Sequence, residues 1–137
     1  MTDPDVQLVR DRSAKVAPRY VVYAIAMIPP IILAQFLLAG LALFQSATIW
    51  GLHGGLGFLL MIPIVTVWIA TLTTASIRPL RWWALVQVIL YALQIIWIVA
   101  GQATGSGILQ ALHPFNAGLL LTAALVLVAK VHRSHAG

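Results

Sequence analysis

The sequence predicts an all-α integral membrane protein, a four-helix bundle running up-down-up-down with both termini in the cytoplasm. Three observations lead there. Only 8% of the 137 residues are charged and 61% are hydrophobic, with a mean hydropathy of +0.98, whereas a soluble domain carries about 25% charged residues. Four uncharged apolar runs are each long enough to cross a hydrocarbon core of about 30 Å. Every lysine and arginine falls in the amino-terminal segment, the middle connection or the carboxyl-terminal end. With four spans these three segments share one side, which the positive-inside rule makes cytoplasmic.

Taken in order, residues 1–19 form a polar cytoplasmic segment of mixed charge, where the apolar spacing from Val6 to Val16 allows a short surface helix. The first span covers residues 20–44 and bends at Pro29-Pro30, where ladder hydrogen bonds are lost. Its apolar part is too long for a cleaved signal peptide, so it is read as a retained helix. A polar turn at 45–49 leads to the second span, residues 50–76, with Pro63 inside it. The basic loop Ile77-Arg78-Pro79-Leu80-Arg81 precedes the third span, 82–100; an uncharged Gly/Ser/Thr turn at 101–107 precedes the fourth, 108–129. The spans make one domain, residues 20–130, followed by a cytoplasmic tail, 131–137, with His132, Arg133 and His135. Trp50, Trp82 and Trp83 fall where interfacial aromatic anchors belong.

Composition also excludes several chemistries. Cysteine is absent, so there are no disulfides, thiolate metal sites, iron–sulfur clusters or covalent c-type heme. The net charge of +5 reads as a topology signal and a contact with membrane lipids. No nucleic-acid partner is expected, because no aromatic-basic patch accompanies it. No span carries a carboxylate to orient a histidine, so no catalytic residues are assigned.

Two segments stand out: Gly51-Leu52-His53-Gly54-Gly55-Leu56-Gly57 at the head of the second span and Leu112-His113-Pro114-Phe115-Asn116-Ala117-Gly118 at the head of the fourth. An ionisable residue inside a span is costly and marks function by default. Aligning the halves at these histidines lays Ile49-Trp50-Gly51-Leu52-His53 over Leu109-Gln110-Ala111-Leu112-His113. Two hairpins related by a pseudo-twofold along the membrane normal bring His53 and His113 level across the bundle axis. Two neutral imidazoles facing each other suit the axial positions of a heme iron. Gly57 and Ala117, one turn below the histidines, with Gly54 and Gly118 beside them, let a flat ring or a neighbouring helix come close. The bland alternatives are that His53 is a wetted interfacial residue, and that His113, preceding Pro114, is a helix-start residue outside the bundle.

Gln87, Gln94 and Gln102 share a stripe of the third span and, with Gln35, Thr66 and Asn116, are expected to face inward. Interhelical hydrogen bonds are their ordinary use; fixing the second nitrogen of a ligating imidazole is the functional one. Heme propionates would meet Ser46, Thr48, Thr104 and Ser106 at the outer surface, where there is no arginine.

The segments LHGGLG and LHPFNAG resemble those of an uncharacterised family of small bacterial four-helix membrane proteins, one half of heme A synthase and, more distantly, b-type membrane cytochromes. The resemblance covers about residues 20–130. It implies the bacterial cytoplasmic (inner) membrane and ligation of one heme b per chain by His53 and His113. The chain has no acidic residue after Asp11, where heme A synthase pairs a glutamate with a histidine, so oxidation of the heme itself is not expected. The functional expectation is single-electron transfer, with quinone a candidate and a redox partner or larger complex implied. The alternative is a cofactor-free structural or assembly subunit of a respiratory or photosynthetic membrane complex. Cation transport fits less well, since the spans have no cysteine or carboxylate and the chain has only three methionines.

Overall fold

A computed structural model describes residues 17–136, and every element among them is helical. Helix α1 is Arg19–Phe44, α2 is Trp50–Leu59, α3 is Met61–Thr73, α4 is Arg81–Thr104 and α5 is Gly107–Ala136. Short 3-10 helices, Ala47–Ile49 and Ala75–Leu80, lead into α2 and α4. Grouped by length and hydropathy, these make four helices able to cross a membrane: Arg19–Phe44, Ala47–Thr73, Ala75–Thr104 and Gly107–Arg133. The helix expected between Val6 and Val16 and the side chain of His135 lie outside the described residues; His132 is exposed.

Several boundaries differ from the sequence expectation, each for a local reason. The second span is interrupted at Leu60, between α2 and α3. Pro63 lacks an N–H and its ring crowds the carbonyl four residues back, which is that of Leu59. Pro29 and Pro30 sit within a helix that runs continuously through them. The third span extends past residue 100 because Gly101 is a helical residue packed against Gln110 of α5; it stops at Gly105, whose φ of 67° places it in the left-handed region that favours glycine at a helix end. The fourth helix starts at Gly107, so His113 lies two turns inside α5 and is not a helix-start residue.

The core follows one spacing in all four spans. Its main buried residues are Val21, Ile25, Ile28 and Ile32 on the first span; Leu60, Ile64, Val67 and Thr71 on the second; Leu80, Ala84, Gln87 and Tyr91 on the third; and Leu120, Ala124, Leu127 and Val131 on the fourth. Each set is i, i+4, i+7, i+11, the seam that packs helices at about +20°. Consecutive spans pack on each other, and α1 closes the ring against α5. The outward faces carry large apolar side chains such as Tyr23, Leu37, Phe58, Ile62 and Ile108, as a lipid-facing surface should.

This core fills only the end of the bundle near the chain termini. Beyond it, around the two histidines, the buried residues are Ala42, Gly101 and Asn116, and α2 contributes none. Truncating a seam residue should therefore cost more than truncating an equivalent residue near the histidines. Ile28→Val is expected to lower stability by about 0.5–1.5 kcal/mol, whereas Leu52→Val, at an exposed position, should change it by less than about 0.5 kcal/mol. Unfolding in mixed micelles measures both.

Candidate functional site: two facing histidines

His53 projects from α2 and His113 from α5, on spans that lie diagonally in the ring. Their ring centroids are 6.1 Å apart, with 59° between the ring planes. Both rings are half-buried, and the edge of Trp50 meets His53 at 5.4 Å between centroids.

Each ring is held by the helix before it. His53 Nδ1 donates to the backbone carbonyl of Gln35 on α1 at 3.1 Å, and His113 Nδ1 donates to that of Gln94 on α4 at 2.9 Å. A carbonyl only accepts, so both Nδ1 atoms carry the proton. In a neutral imidazole the other nitrogen, Nε2, then keeps its lone pair. The two hairpins thus repeat one device: a glutamine carbonyl on the first helix fixes the tautomer of a histidine on the second.

Side-chain amides brace the device. Gln35 Nε2 donates to the His53 carbonyl at 3.0 Å, so α1 and α2 are joined by a reciprocal pair of bonds. In the second hairpin Asn116 Nδ2 donates to the Leu90 carbonyl at 2.8 Å and to Gln94 Oε1 at 2.6 Å. Asn116→Ala removes both bonds; polar contacts between membrane helices average about 0.6 kcal/mol and reach about 1.7. A loss near the upper figure is expected, read as a lower unfolding midpoint in mixed micelles.

The other polar residues divide. Gln87 is buried and donates to the Leu120 carbonyl at 3.3 Å, and Tyr91 donates to the Gly57 carbonyl at 3.0 Å. Thr66 is half-buried, whereas Gln102 is exposed and does not share the inward position expected of it. Gln102 lies one position past the seam, which Gly101 occupies as the buried residue near the end of α4. Ser46 and Thr48 bond each other at 2.8 Å, Thr104 donates to the Ala100 carbonyl, and Ser106 accepts the Leu109 N–H.

The small residues were expected to admit a ring or a helix. A Cβ added at Gly54 or Gly118 would meet nothing within 4 Å, and one at Gly57 only the Gln35 amide at 3.6 Å. Ala117 is half-buried, one turn beyond His113 on α5. The helices thus do not use Gly54 or Gly118 to approach each other.

Two imidazoles could serve as ligands to the metal of a bound prosthetic group, but do not by themselves make a closed metal cage. No group of three or more histidine or carboxylate residues exists among the described residues, whereas a structural zinc site needs four ligands.

Fold and site together define a four-span helical membrane protein with a half-buried, doubly braced histidine pair. Residues 35–103 match a family of unknown function, DUF6220, and the chain belongs to it. The matched stretch contains Gln35, His53 and Gln94 and ends before His113. No curated protein and no solved structure matches the chain.

Proposed function

We propose that the protein binds one heme b between His53 and His113 and passes single electrons. The observation that carries this reading is the facing pair itself. Both rings are held by Nδ1 against backbone carbonyls, which leaves each Nε2 lone pair available, with the ring centroids 6.1 Å apart. The sparse packing around the pair supports it. The likeness of LHGGLG and LHPFNAG to one half of heme A synthase points the same way.

Bound there, heme b supplies a one-electron iron couple. The chain's own residues do the rest. Gln35 and Gln94 hold the tautomers, and the hydrogen bond at Nδ1 makes each imidazole a stronger donor at Nε2. Gly54, Gly57, Ala117 and Gly118 admit the ring edge. The seam from Ile32 toward the termini keeps water from entering by that end.

In this reading the bundle runs up-down-up-down in a bacterial cytoplasmic membrane, with both termini and the Arg78 loop inside and the histidines in the outer half. A single heme near one face does not span the bilayer. A redox partner, quinone or a larger membrane complex is therefore needed to complete electron transfer.

The test is the reduced-minus-oxidised optical spectrum of protein purified from heme-replete cells, with heme counted per chain. One heme per chain with the sharp bands of a low-spin, two-histidine site is expected; a flat trace would overturn the reading. A cofactor-free assembly subunit is the rival, and the same bonds favour it insofar as His53 and His113 pin each hairpin together. That rival predicts a colourless protein whose hairpins still depend on both histidines for stability.

A further inference from the structure

We propose that the loop between the second and third spans binds the phosphate of an anionic phospholipid, with its acyl chain lying along α4. This site is at the opposite end of the bundle from the histidines and does not depend on their function.

A shallow cavity of about 380 Å³ is lined by Ala75, Arg78, Pro79, Arg81 and Trp82. Arg78 and Arg81 are both exposed. The three acidic residues of the chain are Asp3, Asp5 and Asp11, so no carboxylate among the described residues neutralises the two guanidinium groups. Arg81 lies over the Trp82 ring, 5.3 Å from its centroid, which fixes one cation at the level where an indole meets the headgroups. Two forked, weakly hydrated guanidinium groups in one cavity suit a phosphate better than ammonium groups would.

What selects a lipid over a free phosphate is the surface below. Trp82, Val86, Ile89 and Ile96 are all exposed, and their spacing places them on one face of α4 running down from the cavity. An amphiphile with phosphate in the cavity and hydrocarbon on this stripe satisfies both ends at once. An inorganic anion satisfies only the first.

Native mass spectrometry of the purified full chain in mild detergent tests this, with phosphatidylglycerol and phosphatidylcholine offered in equal amounts. One phosphatidylglycerol is expected to be retained in preference to phosphatidylcholine. At about 1 kcal/mol for each basic residue near the headgroups, Arg78→Gln or Arg81→Gln should weaken retention about fivefold and the double variant about twenty-fivefold. Arg133→Gln, outside the cavity, should leave it unchanged, and circular dichroism should show each variant folded. Trp82→Ala should weaken phosphatidylglycerol retention. Equal retention of the two lipids, or equal loss in Arg133→Gln, would overturn the site. Displacement of the lipid by millimolar inorganic phosphate would overturn its assignment to a lipid.

Discussion

Replacing His113 with alanine is expected to abolish heme retention, whereas His53→Ala should leave heme held by one ligand and shifted to a high-spin spectrum. The asymmetry comes from the helices. His113 stands on a continuous 30-residue helix packed on α4 and α1, and its neighbour Asn116 ties that helix to Leu90 and Gln94. His53 stands on a ten-residue helix with no buried residue, four glycines and an interruption after Leu59. Without His113 the remaining ligand belongs to the least constrained element of the site; without His53 it belongs to the most constrained. Losing a residue that merely orients a ligand typically costs 10–100-fold in metal affinity, so losing His113 should exceed about 100-fold. The measurements are heme per chain after detergent washing and the spin state of what remains. Added imidazole should restore the low-spin spectrum to His53→Gly and do nothing for His113→Ala. Equal heme content in the two variants and the native protein would show that neither ring ligates.

The number of spans was legible because lipid imposes it: four uncharged runs leave few other ways to satisfy so much buried backbone. Which face of each span points inward was not. In water, Ile25 and Met27 would be sorted by a polar neighbour on the exposed side; in lipid both faces are apolar, and only packing makes Ile25 fully buried and Met27 exposed. The shared seam spacing became visible only once the helices were placed. The histidine pair was legible as two residues at matching heads of spans, since their cost in a membrane singles them out. Their braces were legible only in part. Gln35 and Gln94 drew attention as polar side chains, yet they orient the rings through backbone carbonyls, which a sequence carries at every position. The end of α4 is not legible in the sequence because Gly101 sits in a Gly/Ser/Thr-rich stretch that resembles a turn, whereas in the fold it lets α5 come close.

That role makes Gly101→Ala the substitution with the largest expected effect on stability. A Cβ there would lie 2.6 Å from Gln110 Cγ and 2.8 Å from the Gln110 backbone nitrogen. The first contact can be relieved by a side-chain rotation. The second cannot, because the nitrogen belongs to α5, so the two helices must separate beside the tight turn at Gly105. Overpacking of this kind costs about 1–3 kcal/mol, and the bond from Gln110 Nε2 to the Gly101 carbonyl at 3.2 Å is expected to go with it. Gly55→Ala is the control: its Cβ would meet nothing within 4 Å, and removing a glycine from a helix interior should stabilise by about 0.5–1 kcal/mol. The two variants should therefore shift the unfolding midpoint in opposite directions, although each adds one methyl group to a glycine near the same end of the bundle. Adding Gln110→Ala to Gly101→Ala should recover only part of the loss, since it removes the Cγ contact and leaves the backbone one. Because His113 lies one turn beyond Gln110 on α5, the separation should also draw its ring away from His53. Heme retention should then fall in Gly101→Ala even under conditions where the protein stays folded. A Gly101→Ala protein as stable as the native one would mean that α4 and α5 do not approach this closely, and the depth assigned to His113 would fall with that contact.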